Sequence, residues 1–162
     1  MKPATAASAL RVQEYLGPDY EVLEFEESTR SAADAAAAIG CNVAAIAKSL
    51  LFELEDESPL LVIASGRNRV DEARVAELVG QSVHRPDAVF VRHHTGFSIG
   101  GVPPVGHPQP LPVVLDEDLL KLAEIWAAAG TPNAVFRMSP KQLCELTNGR
   151  IAAVAERQAA GS

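Results

Sequence analysis

A glycine- and proline-rich stretch over residues 93–112 carries three of the chain's four histidines and an apparent catalytic motif. Within it, residues 96–100 read G-F-S-I-G and match the G-x-S-x-G pattern of serine hydrolases. A nucleophilic serine in that pattern must be followed at once by a helix. Ser98 is followed instead by two glycines and two prolines, which cannot continue a helix. The last histidine, His107, lies only a short distance further on. The match therefore does not predict a serine nucleophile.

The neighbouring histidines, His93 and His94, do not form a recognisable metal motif. The chain has no H-E-x-x-H or C-x-x-C sequence, and no cluster of carboxylates lies beside the pair. On a strand, two adjacent side chains would point to opposite faces. The sequence therefore predicts no metal site, and surface or hydrogen-bonded histidines are expected.

The glycine pair Gly100-Gly101 gives a different chemical signal. Glycine reaches positive φ and lets the backbone approach a ligand with no Cβ in the way. Exposed N–H groups in such a turn form a cradle for an anion or a carbonyl oxygen. Pro103-Pro104 would stiffen the exit from this turn. From composition alone, a rigid connector between two strands fits equally well.

Lys48 is the other unusual residue. It lies in the segment 45–52, which reads A-I-A-K-S-L-L-F and is otherwise largely apolar on both faces. A lysine within a buried strand is costly unless its ammonium group reaches a cleft or a partner. The alternative is an edge lysine whose ammonium group extends to solvent.

The charge distribution limits the ligands that this chain can bind. A net charge of −7 argues against a protein that binds long nucleic acid through the phosphate backbone of that nucleic acid. Residues 88–115, however, contain no acidic side chain, while Arg92 and three histidines fall there or beside it. A small anion or the end of a nucleic acid is compatible with this segment, as is a loop that merely lacks acids.

Length and composition indicate an ordinary globular chain. Its 162 residues are expected to form one domain, residues 1–162, and 48% of them are hydrophobic. No apolar run is long enough to cross a membrane, and the first residues have no signal-peptide core. Cys41 and Cys144 match no redox or metal spacing, which favours reduced thiols in a cytoplasmic protein.

The spacing of apolar residues and the positions of glycine, proline and capping residues predict a mixture of helices and strands without strict alternation. Ser139-Pro140, a cap followed by proline at the first helical position, begins the last helix, and Gly40 and Gly80 end two earlier ones. Val89–Val91 is either a strand or the end of a helix. Helices are predicted at 4–16, 32–39, 71–79, 118–124 (one turn) and 139–146, and strands at 20–25, 46–54, 60–64, 112–116, 125–128, 133–138 and 151–155. We therefore expect an α/β (α+β) fold with a mixed sheet flanked by helices.

The lysine and the glycine–proline loop together resemble the YbaK/EbsC family of aminoacyl-tRNA deacylases, whose fold also occurs as the editing domain of prolyl-tRNA synthetases. The loop has the pattern T-G-x-x-x-G-G-x-x-P-x-G, from Thr95 to Gly106. The segments that carry the resemblance are 28–30, 35–36 with 40, 46–50, 65–71, 95–96 with 100–107, 111–116 and 129–133. The resemblance implies a single domain whose mixed sheet forms a partly closed barrel.

The resemblance also implies an activity. Family members hydrolyse the ester that joins a wrong amino acid to the 3′ end of a tRNA, acting in trans after a synthetase error. They use no metal, no cofactor and no protein nucleophile. A water molecule attacks, with help from the substrate's own ribose hydroxyl or side chain. Only the acceptor end of the tRNA is contacted, which suits an acidic protein with a few cations in a cleft.

Site residues follow from the resemblance position by position. Lys48 would engage the terminal nucleotide and the ester, and Gly100 and Gly101 would polarise its carbonyl group. The implied substrate-binding residues are Thr95, Gly96, Ser98, Pro104, Gly106, His107, Ser65, Asn68, Asp116 and Gly130. Ser98 has no catalytic role in this interpretation.

The implied substrates are alanine or cysteine esters of tRNA(Pro), with serine and threonine esters left open. Prolyl-tRNA synthetase is the candidate protein partner, and no oligomeric state is predicted. The alternative hypothesis is a binding module that holds aminoacyl-tRNA or a nucleotide without turnover. The intact lysine and loop favour the enzyme.

Overall fold

A computed structural model describes residues 1–157 and contains one extended β-sheet with helices on both of its faces. The strands are β1 Lys2–Pro3, β2 Val22–Glu24, β3 Ile46–Leu54, β4 Pro59–Ser65, β5 Val83–His84, β6 Val113–Asp116, β7 Ile125–Ala128, β8 Ala134–Met138 and β9 Arg150–Ala152. The α-helices are α1 Ala7–Leu16, α2 Ala32–Ile39, α3 Glu72–Val79, α4 Ala88–Thr95 and α5 Pro140–Thr147, and 3₁₀ turns span Val43–Ala45 and Glu117–Lys121. None of these helices is both long and apolar enough to cross a bilayer.

The sheet is mixed, as the sequence predicted. Its strand order is β1-β2-β8-β7-β3-β4-β6-β9, and β5 pairs with β3 outside this path. The pairs β3–β7, β4–β6 and β6–β9 are parallel, and the remaining pairs are antiparallel. Within the described residues no ladder joins β1 to β9, so hydrogen bonds do not close the sheet into a full barrel. The predicted α/β class with a mixed sheet is confirmed.

The long central strands divide the apolar core between the two faces of the sheet. Leu61 and Ile63 of β4 face one cluster, which also takes side chains from α1, α4 and α5. Leu60 and Val62, which alternate with them, face a second cluster against α3. Alternation with a period of two is what a strand buried on both faces requires. A third cluster packs α2 against Ile46 and neighbouring strands.

Local signals set the ends of the helices. Ser139 begins α5 with a capping box: its hydroxyl accepts from the Gln142 N–H, and the Gln142 side chain accepts from the Ser139 N–H. Gly40 and Gly80 end α2 and α3 in the left-handed conformation, at φ 87° and 77°. These three boundaries were predicted from the sequence and are confirmed.

The sequence left the segment after β5 open between a strand and the end of a helix, and the structure has a helix there. Val89–Val91 lies inside α4, and Asp87 caps this helix by accepting a hydrogen bond from the Phe90 N–H. His93 and His94 are therefore helical, and the strand geometry considered for them is wrong. A three-residue apolar run carries no period, so only the cap at Asp87 could have indicated the helix. The two-residue strands β1 and β5 were also not predicted.

Candidate active site

A cleft of about 240 Å³ opens beside the central strand β3. Strands β3, β7 and β8 form its inner wall, the segment that leads into α2 forms one rim, and the residues after α4 form another. The lining residues are Thr29, Arg30, Ser31, Ala32, Ala35, Ile46, Ala47, Lys48, Ser49, Leu50, Leu51, Arg85, Pro86, Val91, Ile99, Gly100, Val102, Trp126, Ala127, Ala128, Pro132 and Val135. The wall is mainly apolar with a few polar groups, as in small-molecule sites.

The cleft is electropositive although the protein is acidic. Arg30, Lys48 and Arg85 line it, and no aspartate or glutamate is among the described lining residues. A phosphate group, or a negative charge that develops during a reaction in the cleft, would therefore interact with these cations, and no described carboxylate in the lining would oppose it. This charge distribution favours an anionic ligand.

Lys48 reaches this cleft from the middle of β3. Its side chain is half-buried, and Nζ donates a hydrogen bond of 2.6 Å to the main-chain oxygen of Asn68. Burial lowers the pKa of Lys48, the positive charge of Arg85 lowers it further, and Asp116 acts in the opposite direction. The ammonium group is thus held in the site, and the alternative of an edge lysine extending to solvent is wrong.

A buried carboxylate fixes the carbonyl group that holds Lys48. The Asn68 amide donates to Asp116 Oδ2 at 2.8 Å and to Asp118 Oδ2 at 2.7 Å. Asp116 is fully buried and also accepts from the Ser65 N–H at 3.0 Å. Ser65, Asn68 and Asp116, which were predicted to bind substrate, are not among the residues that line the cleft, and substrate contact by them stays a prediction. Their contacts suit positioning of Lys48.

Gly100 and Gly101 play different structural roles. Gly100 lines the cleft with φ 93°, which favours glycine. Gly101 does not have positive φ, but a Cβ there would lie 2.8 Å from Thr131 Cα and 2.9 Å from the Gly130 oxygen. Its N–H donates to the Ser98 oxygen at 3.0 Å, and its oxygen accepts from Gly130 N–H at 2.9 Å. The expectation of two free N–H donors at positive φ therefore fails for Gly101.

The residues at the start of the loop lie mainly in its scaffold. Thr95 is fully buried, and its hydroxyl bonds to the Val91 oxygen and accepts from the Phe97 N–H. Gly96 ends α4 with φ 79°. Ser98 is exposed, and its hydroxyl accepts from the Arg92 guanidinium at 2.9 Å. Because a guanidinium group is not a base at neutral pH, Ser98 has no partner among residues 1–157 that could activate it as a nucleophile.

The residues that close the loop stabilise its shape. His107 Nε2 lies 2.8 Å from the Pro103 oxygen, which fits an Nε2–H donor, and burial lowers the pKa of the imidazole. Pro104 is buried. Gly106 lies against the Tyr15 ring, and a Cβ on Gly130 would lie 2.5 Å from the Ser8 oxygen. Substrate contact by these residues stays a prediction.

Two arginines and one serine of the cleft were not among the predicted site residues. Arg85 lies 5.4 Å from the centre of the Phe52 ring, a cation–π contact that helps to fix it. Arg30 directly precedes the Ser31 cap of α2. The hydroxyl of Ser49 is buried and makes no hydrogen bond within residues 1–157. Spacing gives no signal for these residues, because the chain segments that bring them together are far apart in sequence.

The described residues contain no group of three or more His, Cys, Asp and Glu side chains arranged to hold a metal ion. His93 and His94 stack edge to face, with ring centres 4.9 Å apart, and Phe90 packs against His94. This arrangement suits helix packing.

The lowered pKa of Lys48 predicts opposite pH trends for stability and for ligand binding. In the window between that lowered pKa and its ordinary value of 10.5, the unfolded chain binds more protons than the folded chain. The free energy of unfolding should therefore gain a contribution from Lys48 as pH rises through this window, and lose it as pH falls. Binding that depends on the ammonium group should weaken over the same rise. Urea unfolding and anion titrations between pH 7 and pH 10, with Lys48→Met as the reference, measure both; identical pH slopes in the two proteins would contradict this.

Comparisons with known proteins agree on one family. The model of the aminoacyl-tRNA editing domain matches residues 26–146. YwhH of Bacillus subtilis, an uncharacterized protein, is 31% identical over 131 residues, which cover 81% of this chain and 83% of YwhH. EbsC of Enterococcus faecalis, provisionally named a Cys-tRNA(Pro)/Cys-tRNA(Cys) deacylase, is 24% identical over 97% of this chain and 98% of its own.

Solved structures give the same result at higher identity. A crystal structure provisionally described as a trans-editing enzyme for prolyl-tRNA synthetase is 46% identical, with a TM-score of 0.90, and the match covers 95% of this chain and 100% of that one. The hypothetical protein APE2540 is 32% identical with a TM-score of 0.83, over 90% of this chain and 99% of that one.

Proposed function

The chain belongs to the aminoacyl-tRNA editing domain family, and from that premise we propose that it is a trans-editing hydrolase that deacylates mischarged aminoacyl-tRNA. The observation that best supports this is Lys48, which a 2.6 Å hydrogen bond holds in a cleft whose described lining contains three cations and no carboxylate. Such a site suits an ester next to a phosphate. A tRNA substrate also implies action in the cytoplasm.

The proposed reaction is direct hydrolysis. The oxygen of a water molecule attacks the ester carbonyl carbon, the bond from that carbon to the ribose oxygen breaks, and the ribose oxygen takes a proton. The products are the free amino acid and the uncharged tRNA. The arrangement of Ser98 supports a role for water, since its only described side-chain partner is Arg92.

Two groups of the chain would stabilise the charge that develops on the ester. The Lys48 ammonium group is one, because a fixed cation in a partly dehydrated site stabilises an oxyanion without reorganisation. The Gly100 N–H is the other, since Gly100 lines the cleft and its N–H makes no hydrogen bond within residues 1–157. The substrate's adjacent ribose hydroxyl would orient the water.

The size of the cleft supports small amino acids. A volume of about 240 Å³ must take the aminoacyl group and part of the terminal nucleotide, and Val91, Val102 and Trp126 narrow it with apolar side chains. We propose alanine or cysteine esters of tRNA(Pro) as substrates, with serine and threonine esters as the other members of the size class. Prolyl-tRNA synthetase is the proposed source of the misacylated tRNA, and residues 1–162 the proposed single domain.

A deacylation panel tests this function. Purified protein is incubated with Ala-, Cys-, Ser-, Thr- and Pro-tRNA, and the loss of esterified amino acid is followed against a protein-free blank. We expect turnover of one or two small esters and none of Pro-tRNA. Flat traces on all five, with tight binding of aminoacyl-tRNA, would contradict the enzyme and favour a non-catalytic binding module.

A further inference from the structure

The cleft lies at a gap in the hydrogen-bonding of β3. On the edge away from β4, β7 pairs with β3 at Ile46 and Ala47, and β5 pairs with it at Glu53 and Leu54. In the described part of the chain, no strand pairs with residues 48–52 on this edge. One edge of the central strand is therefore open inside the protein, where Lys48 and Ser49 line the cleft.

The register shows which main-chain groups face the gap. The Ile46 oxygen accepts from Gly66 N–H, and Leu54 N–H donates to the Ser58 oxygen. In an antiparallel ladder, alternate residues bond to the same neighbour. The even-numbered residues from 46 to 54 therefore bond to β4. Ser49 and Leu51 direct their N–H and C=O groups to the opposite edge, which is the gap.

The two strands that border the gap cannot extend to close it. Extending the β3–β5 register places Pro86 opposite Leu51, and proline has no N–H to donate. On the other side, β7 ends at Ala128. Both Pro86 and Ala128 line the cleft, as does the half-buried Ser49. Because partly buried main-chain groups without a partner are costly, a ligand that pairs with them gains their hydrogen bonds.

An aminoacyl ester has the chemistry to fill this gap. Its amino nitrogen, α-carbon and carbonyl group follow one another in the same order as the main-chain atoms of one residue in a strand. Since the described cleft lining contains no carboxylate, an α-ammonium group there has main-chain oxygens and the hydroxyls of Thr29, Ser31 and Ser49 as its acceptors. Charge-assisted hydrogen bonds of this kind are stronger than neutral ones.

We propose that the aminoacyl group of the substrate pairs with Ser49 as a one-residue strand. Its α-ammonium group donates to the Ser49 oxygen, and its ester carbonyl accepts from the Ser49 N–H. This proposal rests on the proposed editing function and deepens it, because it assigns a substrate class: esters with a free α-amino group. An N-acylated ester loses the charged donor and adds bulk in the gap.

Amide hydrogen exchange followed by NMR tests the pairing. The probe is 3′-deoxy-3′-(L-alanylamino)adenosine, an amide analogue that has no ester bond to hydrolyse. The matched probe is its N-acetyl derivative. In the free protein, the Ser49 amide should exchange much faster than the Leu50 amide, which bonds to β4. The first probe should slow Ser49 exchange about ten-fold or more and leave Leu50 unchanged, and the N-acetyl probe should bind about ten-fold more weakly.

A side-chain variant separates the contribution of the Ser49 main chain to binding from that of its hydroxyl. Ser49→Ala removes a buried hydroxyl that has no described partner but keeps the N–H and C=O groups. We expect Ser49→Ala to keep the roughly ten-fold preference for the alanyl probe over its N-acetyl derivative, whatever the variant's absolute affinity. A loss of preference for the free amine in this variant would assign recognition to the hydroxyl and overturn the pairing.

The outcomes distinguish this proposal from the editing function. Protein that deacylates the panel and binds the alanyl probe, yet shows no added protection at Ser49, overturns the pairing and leaves the function standing. Equal binding of both probes also overturns it. Protein that is inactive on the whole panel and does not bind the probe overturns both proposals.

Discussion

Replacing Lys48 with methionine is expected to reduce deacylation by about 10²–10³-fold while leaving the fold at least as stable as the parent. Removing one preorganised group that stabilises a developing oxyanion costs about this much in rate. Methionine has nearly the same length and no charge to keep in a half-buried position, so the burial that lowers the pKa of Lys48 no longer opposes folding. Single-turnover deacylation and thermal unfolding measure the two effects.

The matched control is Lys141→Met. Lys141 is exposed on α5, so the same substitution changes the net charge equally without touching the cleft. Its deacylation rate should stay close to that of the parent at moderate salt. If Lys48→Met deacylates as fast as Lys141→Met, the proposed chemistry is wrong. If Lys48→Met is inactive but also unfolded, the lysine holds the fold instead.

Much of the fold could be predicted from local pattern. The bounds of β3 were predicted to the residue, because polar or turn-forming residues lie on both sides of a long, largely apolar segment. The Ser139 cap, Gly40 and Gly80 fixed helix ends through chemistry that operates within a few residues. Where a rule depends only on near neighbours, the sequence is sufficient.

The site could be predicted only in part, because its geometry depends on distant segments. Lys48 and Gly100 do line the cleft. The hydrogen-bond acceptors of the Asn68 amide, however, are Asp116 and Asp118, which lie far along the chain. A resemblance indicates that such residues lie near one another without showing which one faces substrate. The open edge at Ser49 is harder still, since it depends on where β5 and β7 both end.

Substituting Gly101 with alanine is expected to reduce deacylation about 10- to 100-fold and to lower the free energy of unfolding by about 1–3 kcal/mol. The new Cβ would overlap the main chain of Thr131 and Gly130, at 2.8 Å and 2.9 Å, and main chain cannot rotate away as a side chain can. The two loops must separate, which weakens the 2.9 Å bond from Gly130 N–H and displaces the adjacent Gly100 in the cleft. Urea unfolding and single-turnover rates measure the change.

Gly80→Ala separates loss of stability from loss of geometry. Gly80 has φ 77° at the end of α3, so alanine is strained there, but no atom lies within 4 Å of the added Cβ. Its cost in stability should be about 1 kcal/mol, with no effect on the rate. A similar fall in rate for both variants at equal fractions folded would show that the loop geometry at Gly101 is not what the reaction needs. A fall confined to Gly101→Ala ties catalysis to the close contact between the two loops.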